Sequence, residues 1–169
     1  LNTNKEFIID KMPFNFFYVG FILNSIPEAK IIHMHRNPMA ICWSNYKANF
    51  FDNIGMDYAH KLETIGEFYI IYNETMKFWN EIYPKSLIEV DYDNFVMDFV
   101  PCSKSIIEEI GLNWEDKILN FHENNRAVET NSLLQVRNQV YQNSSKNWKK
   151  YEKYLTPVME ILNKNNIKF

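Results

Sequence analysis

Short apolar runs alternate along this chain with longer segments of helical periodicity, and that alternation predicts an α/β fold. Residues Lys30–His35 (KIIHMH) are too few for a helix and are of types that suit a buried strand. Pro38 follows at a position where helices begin, and apolar residues recur at helical spacing through Met39–Phe51. Phe7–Asp10 and Ser86–Tyr92 resemble the first run, so the pattern predicts three strands.

The helical segments between and after these strands differ in length. The longest, His60–Ile82, has apolar and aromatic residues three and four positions apart and ends before Pro84. Phe14–Ser25 would connect the first two strands as a βαβ unit, which implies parallel pairing. Glu123–Asn143 lacks clear periodicity, and long irregular segments in compact domains are usually functional or disordered. Further short helices are predicted over Asp93–Phe99, Pro101–Ile110, Trp114–His122, Lys146–Leu155 and Pro157–Asn165.

Composition narrows the function classes. With 169 residues, 46% of them hydrophobic, the chain is long enough for one globular domain or a large piece of one. A net charge of −3 gives no broad basic face, which argues against nucleic acid as a partner. The longest apolar stretch, Phe14–Leu23, is interrupted by Asn15 and Gly20 and is too short to span a membrane. Cys42 and Cys102 show neither metal-ligand nor redox spacing.

One segment has the pattern of an anion site. Arg36 lies at the end of a predicted strand and beside the start of the next helix, where open α/β sheets bind ligands. Ser44 comes about two helical turns later and could face the same side. A guanidinium fork and a hydroxyl at such a point can bind a phosphate. The simpler interpretation is that Arg36 is a solvated or salt-bridged turn residue.

Other chemistry-bearing patterns are few. The chain has four glycines and no glycine-rich phosphate loop, so part of any nucleotide site would have to come from outside this sequence. It also has no nucleophile elbow and no metal-type cluster of His, Cys and carboxylates. Lys11 follows the first predicted strand, at the same sheet edge as Arg36. A polar segment, Ser132–Tyr141, completes the candidates.

Four segments together resemble the 3′-phosphoadenylyl sulfate (PAPS)-dependent sulfotransferases. They are DKMPFNFFYVGFI, PEAKIIHMHRNPMAICWSNY, IEVDYDNFV and TNSLLQVRNQVYQNSSKNWKKYEKYL. Their order and spacing are most similar to the bacterial and tyrosylprotein-type branch, whose members often follow tetratricopeptide repeats. The resemblance implies part of a P-loop-type parallel sheet flanked by helices. It also implies that residues 1–169 form a single truncated domain, missing its N-terminal phosphate-loop segment.

The resemblance also assigns roles to residues. Arg36 and Ser44 match residues that hold the 3′-phosphate of PAPS, and Lys11 and Ser132 match residues that stabilise the transferring sulfuryl group. Ala48, Gln139 and Asn147 depart from the family pattern, because basic residues or proline are usual there. The other matched positions are those of cofactor-contacting residues: Tyr92, Gln135, Tyr141, Ser144 and Lys146.

What the resemblance implies for activity is sulfuryl transfer from PAPS to an acceptor hydroxyl without a metal ion. The 5′-phosphosulfate loop and the carboxylate general base of the family would lie upstream of Leu1, so we expect this chain alone to be nearly inactive. The acceptor stays open among peptide tyrosine, sugar, lipid and small alcohol. A glycosylation sequon at Asn143 falls inside the expected cofactor loop, which favours a cytoplasmic location.

Two other interpretations fit the residues. The chain could be a truncated P-loop kinase-like transferase, which would bind ATP or ADP without regard to a 3′-phosphate. It could also be a non-catalytic interaction module with a degenerate nucleotide site, which nucleotides would not affect.

Overall fold

Two parallel strands form the sheet in the part of the chain that the computed structural model describes, residues 7–48, 50, 55–123 and 137–169. Strand β1 (Ile31–His35) pairs with β2 (Leu87–Asp91) in a continuous register that begins at Ile31 opposite Leu87. Parallel neighbours need a long crossover connection, and here it contains α2 (Pro38–Lys47) and α3 (Leu62–Ile82). The chain therefore has a mixed α/β fold with a small parallel sheet flanked by helices.

The remaining helices are mostly short. Two 3₁₀ helices, Pro13–Tyr18 and Asp57–His60, precede α1 (Val19–Ser25) and α3, respectively. Two further 3₁₀ helices, Asp116–Glu123 and Ser144–Tyr154, lie where short helices were predicted over Trp114–His122 and Lys146–Leu155. The others are α4 (Tyr92–Met97), α5 (Phe99–Glu109) and α6 (Thr156–Lys164).

The prediction of a strand over Phe7–Asp10 is wrong. Residues 7–12 have no regular secondary structure, and Ile9 is 93% exposed. Among the described residues β1 has β2 as its one neighbour, so the apolar run has no adjacent strand with which to pair. The predicted βαβ unit likewise does not form from this run, and the observed parallel pair is β1 with β2. Of the irregular Glu123–Asn143 segment, residues 124–136 lie outside the described part.

The main hydrophobic core lies between α2, α3, α6 and the 3₁₀ helix Ser144–Tyr154. Met39, Ile65 and Leu162 are almost completely buried there. Gly66 lets α6 approach α3 closely, because a Cβ at this position would lie 3.1 Å from Cδ1 of Ile161. Cys42 is buried in the same core, and this burial raises the pKa of its thiol to about 12. The core thus fixes α2 and the C-terminal helices relative to each other.

A second, smaller cluster joins α1 to the sheet. Val19, Met76 and Leu87 are buried together, with the ring of Trp79 packed against them. The indole N–H of Trp79 donates a 2.7 Å hydrogen bond to the backbone carbonyl of Phe16, which fixes the ring in place.

We expect Gly20→Ala to destabilise the fold by about 1–3 kcal/mol, because its new methyl group would overpack this cluster. The added Cβ would lie 2.6 Å from Cζ3 of Trp79, whose ring cannot move without losing its hydrogen bond to Phe16. Urea unfolding followed by circular dichroism measures the change. Ser25→Ala, at the exposed end of the same helix, is the control and should change stability by less than about 0.5 kcal/mol. Equal stability of the two variants would contradict this account of the packing.

Candidate functional site

The register of the sheet places Arg36 beside Tyr92. Arg36 directly follows β1 and Tyr92 directly follows β2, one position beyond the pair formed by His35 and Asp91. The guanidinium carbon of Arg36 lies 4.3 Å from the centroid of the Tyr92 ring. This is the geometry of a cation–π contact, which holds the guanidinium plane without neutralising its charge.

Two serines from the distant C-terminal part of the chain complete the cluster. Nε of Arg36 donates a 2.6 Å hydrogen bond to Oγ of Ser145, and Nη2 donates a 2.7 Å bond to Oγ of Ser144. The Tyr92 hydroxyl lies 3.4 Å from the same Ser144 oxygen. We call this group of four residues, Arg36, Tyr92, Ser144 and Ser145, the Arg36 site.

Local structure on both sides of the site fixes these positions. The Asn37 side chain accepts a 3.0 Å hydrogen bond from the backbone N–H of Ala40 and so caps α2 directly after Arg36. On the other side, Asn143 adopts a left-handed backbone conformation (φ 68°) just before the helix Ser144–Tyr154 begins. Trp148 in that helix is buried in the main core, so the core anchors the segment that carries both serines.

The hydrogen bonds to the two serines occupy N–H donors on Nε and Nη2 of Arg36 and leave the other N–H donors of the guanidinium for a ligand. Each serine hydroxyl accepts its bond from Arg36 with a lone pair and also carries one O–H donor, which in Ser144 can point either to the Tyr92 hydroxyl or to a ligand. Among the described residues no carboxylate forms an ion pair with Arg36. Ser145 is buried, and Arg36 is only partly exposed. A partly buried cation with two adjacent hydroxyl donors and no acidic partner is a set of groups that suits a phosphate or sulfate.

A cavity of about 580 Å³ adjoins the site. Ser145 and Asn37 line it on the side of the Arg36 site, and Trp148 and Phe169 supply aromatic surface. Lys146 also lines it, with an exposed side chain. The volume is within the range of about 300–1,000 Å³ that small-molecule sites occupy. The carboxylates of Asp93 and Glu152 also line the cavity and Arg36 does not, so it meets the Arg36 site through Ser145.

The structure brings together some of the candidate residues predicted from sequence and leaves others apart. Arg36, Tyr92 and Ser144 meet in the Arg36 site. Ser44 is exposed on α2 and makes no contact with Arg36 among those described, and Lys11 is exposed in the irregular segment 7–12. Tyr141 is 49% exposed and also stands outside the cluster. Ser132 and Gln135 lie outside the described residues.

Ser145 is the residue that sequence reasoning missed. The sequence feature that could have indicated Ser145 is the adjacent pair Ser144-Ser145, which lies directly before the segment predicted to be helical from Lys146. The helix in fact begins at Ser144, so both hydroxyls lie in its first turn and both face the guanidinium.

Searches for two other kinds of site gave negative results within the described ranges. No group of three or more His, Cys, Asp or Glu side chains is placed to hold a metal ion there. Within the same ranges, no helix combines the length and the apolar character needed to cross a membrane.

Comparison with known proteins identifies the family. A model of the sulfotransferase family matches residues 1–116, which include Arg36 and Tyr92. An uncharacterized protein of Aquifex aeolicus (strain VF5) is 39% identical over 163 residues, which are 96% of this chain and 21% of that protein. This chain therefore spans about a fifth of that relative's length. No solved structure matches this chain. On the family-model match and this similarity, the chain belongs to the sulfotransferase family.

Proposed function

We propose that this chain contains the part of a PAPS-dependent sulfotransferase site that binds the 3′-phosphate, and that the complete site transfers a sulfuryl group to an acceptor hydroxyl. The observation that carries the proposal is the Arg36 site itself. Its guanidinium has no acidic partner among the described residues, and the two serine hydroxyls bonded to it each carry an O–H donor. PAPS carries a 3′-phosphate, which AMP, ADP and ATP lack, and these donors suit that group.

A site that binds the 3′-phosphate would supply one half of the nucleotide-binding site that sulfuryl transfer requires. PAPS supplies the sulfuryl group, whose charge is spread over its oxygens during in-line transfer. By analogy with phosphoryl transfer, the protein contributes mainly positioning and electrostatic stabilisation. In this proposal Arg36, Ser144 and Ser145 fix the nucleotide. Lys11, whose ammonium group is exposed, and Ser132 would stabilise the transferring group.

The remaining cofactor contacts are proposed on the resemblance. Lys146 lines the cavity next to the Arg36 site, so a small shift of its flexible side chain would bring its ammonium group towards a bound nucleotide. Tyr92 has its ring under the guanidinium and its hydroxyl towards Ser144. The other proposed contacts come from Ser44, Gln135 and Tyr141.

The phosphate loop and the acceptor's general base are proposed to come from residues outside this chain. Ile32 and Met34 on one face of β1 are 46% and 45% exposed, although their neighbours on β2, Ile88 and Val90, are buried. Residues 7–9 add further exposed apolar surface. Exposed apolar surface of this extent is typical of a face that another segment covers. We therefore expect this chain alone to show little turnover, and robust PAPS-dependent sulfation by it would contradict this part of the proposal.

We expect Arg36→Ala to remove the preference of the chain for a nucleotide with a 3′-phosphate. The wild-type chain should bind adenosine 3′,5′-bisphosphate at least about tenfold more tightly than 5′-AMP, because charge-assisted hydrogen bonds contribute about 1.5–3 kcal/mol. The variant should bind both nucleotides equally. Isothermal titration calorimetry measures the affinities, and circular dichroism checks that the variant is folded.

Lys30→Ala is the matched control for Arg36→Ala. Lys30 is an exposed cation directly before the same strand, at the end opposite Arg36, so its loss should leave the preference unchanged. Binding of ATP with no preference for a 3′-phosphate would instead favour a kinase-like transferase. A folded chain that binds none of these nucleotides would overturn the proposed 3′-phosphate site, as a non-catalytic module predicts.

Ser145→Ala should weaken binding of adenosine 3′,5′-bisphosphate roughly fivefold to tenfold, because one hydrogen-bond donor to the phosphate is lost. Binding of 5′-AMP should change by less than about twofold, since it lacks the group that Ser145 would contact. The same calorimetric titrations apply, with Ser86→Ala as an exposed-serine control. An equal loss of affinity for both nucleotides would show that Ser145 acts through the fold and not through the phosphate.

A further inference from the structure

The long helix α3 has a second apolar side in addition to the one that it buries. Ile65, Tyr69 and Met76 are buried on the side that packs against the rest of the fold. Another set of residues recurs three and four positions apart and therefore lies along a different side of the helix. We call this set the outer stripe, and its members are Phe68, Ile71, Thr75, Phe78 and Ile82.

The outer stripe is exposed over most of its length. Ile71, Phe78 and Ile82 are 49%, 50% and 54% exposed. Thr75 donates its hydroxyl proton in a 2.7 Å hydrogen bond to the backbone carbonyl of Ile71, so the one polar group of the stripe is already paired within the helix. Exposed apolar surface that follows a helix in this way is typical of a face that another protein segment covers.

A row of acidic side chains lies beside the outer stripe. Glu67, Glu74 and Glu81 are spaced seven residues apart, and all three are exposed. Each directly precedes a stripe residue, which is a position where charged residues flank the apolar seam of a heptad repeat. Glu74 forms an ion pair with Lys77 of the same helix, whereas Glu67 and Glu81 form none among the described residues. The row therefore has negative charge available to a partner.

The acidic row determines which kind of partner the stripe fits. When two helices pack along heptad seams, the flank of one meets a flank of the other, and opposite charges there favour the pairing. Two copies of α3 packed antiparallel would set one acidic row against the other. Packed in parallel, they would set the row against Tyr72 and Trp79, which supply no cation. A second copy of this chain is therefore a poor match, and an anionic lipid surface is also a poor match.

We propose that the outer stripe of α3 is a docking surface for an amphipathic α-helix of a partner protein, whose own apolar stripe is flanked by lysine or arginine. From Phe68 to Ile82 the stripe is about 21 Å long, so a partner helix of about four turns would cover it. The stripe and the acidic row share no residue with the Arg36 site. The inference therefore does not depend on the proposed function.

Fluorescence anisotropy with two labelled synthetic helices tests the kind of partner. Each helix is about 21 residues long, with leucine at the heptad a and d positions and either lysine or glutamate at the flanking positions. The lysine helix should bind the chain at least about tenfold more tightly than the glutamate helix. Ile71→Gln and Ile82→Gln leave the net charge unchanged and should each weaken binding of the lysine helix roughly fivefold. Circular dichroism checks that the variants are folded.

Reversal of charge in the acidic row tests the complementarity directly. The double variant Glu67→Lys, Glu81→Lys should bind the glutamate helix in preference to the lysine helix, because the row then has the opposite sign. The matched control is Glu108→Lys, Glu109→Lys on α5, where both side chains are exposed. It changes the net charge equally and should keep the preference of the wild-type chain.

Other results would overturn the proposal. Equal affinity of the chain for both helices, or no affinity for either, would contradict the charge complementarity. Binding of the lysine helix that neither Ile71→Gln nor Ile82→Gln weakens would place the contact elsewhere. Dimerisation of the chain in sedimentation equilibrium, abolished by Ile71→Gln, would identify a second copy as the occupant. Binding to phosphatidylcholine vesicles, abolished by the same variant, would identify a lipid surface.

Discussion

The parallel register between β1 and β2 is the constraint on which the Arg36 site depends. It sets His33 opposite Glu89 and His35 opposite Asp91, and one residue further on it sets Arg36 next to Tyr92. A shift of one residue would turn the alternating side chains of β1 to the other face of the sheet. The same shift would separate the guanidinium from the tyrosine ring that supports it and His33 from the carboxylate that it contacts.

Two paired strands alone would not hold a fixed register, and the helices packed around them provide the additional stability. Isolated two-stranded pairs are marginally stable in water, whereas pairs that pack against helices are not. Here α3 crosses from the main core to the sheet. It contributes Ile65 to the former and Met76 to the cluster with Leu87. The core also contains Trp148, which follows Ser144 and Ser145 in the same helix. The hydrogen bonds from Arg36 to the serines therefore join parts of the molecule that one core already positions.

The sequence predicted those parts of the fold that depend on local pattern. Both paired strands, the long helix α3 and the proline start of α2 follow from periodicity and capping residues. The strand expected over residues 7–10 failed for a non-local reason. An apolar run becomes a strand only where another strand offers its backbone groups, and among the described residues nothing pairs with this one. Likewise Ser144 and Ser145 lie more than a hundred residues from Arg36, and spacing alone cannot show that they meet it.

Arg36 has a structural role in addition to the binding role proposed for it. Its guanidinium joins the ends of the two strands to the C-terminal part of the chain, because it lies over the Tyr92 ring and donates hydrogen bonds to Ser144 and Ser145. A permanently charged group held in this way is well suited to orient a bound anion, because the guanidinium plane is already fixed by Tyr92. Among the described residues no carboxylate forms an ion pair with Arg36, and a carboxylate there would compete with a bound phosphate for the guanidinium.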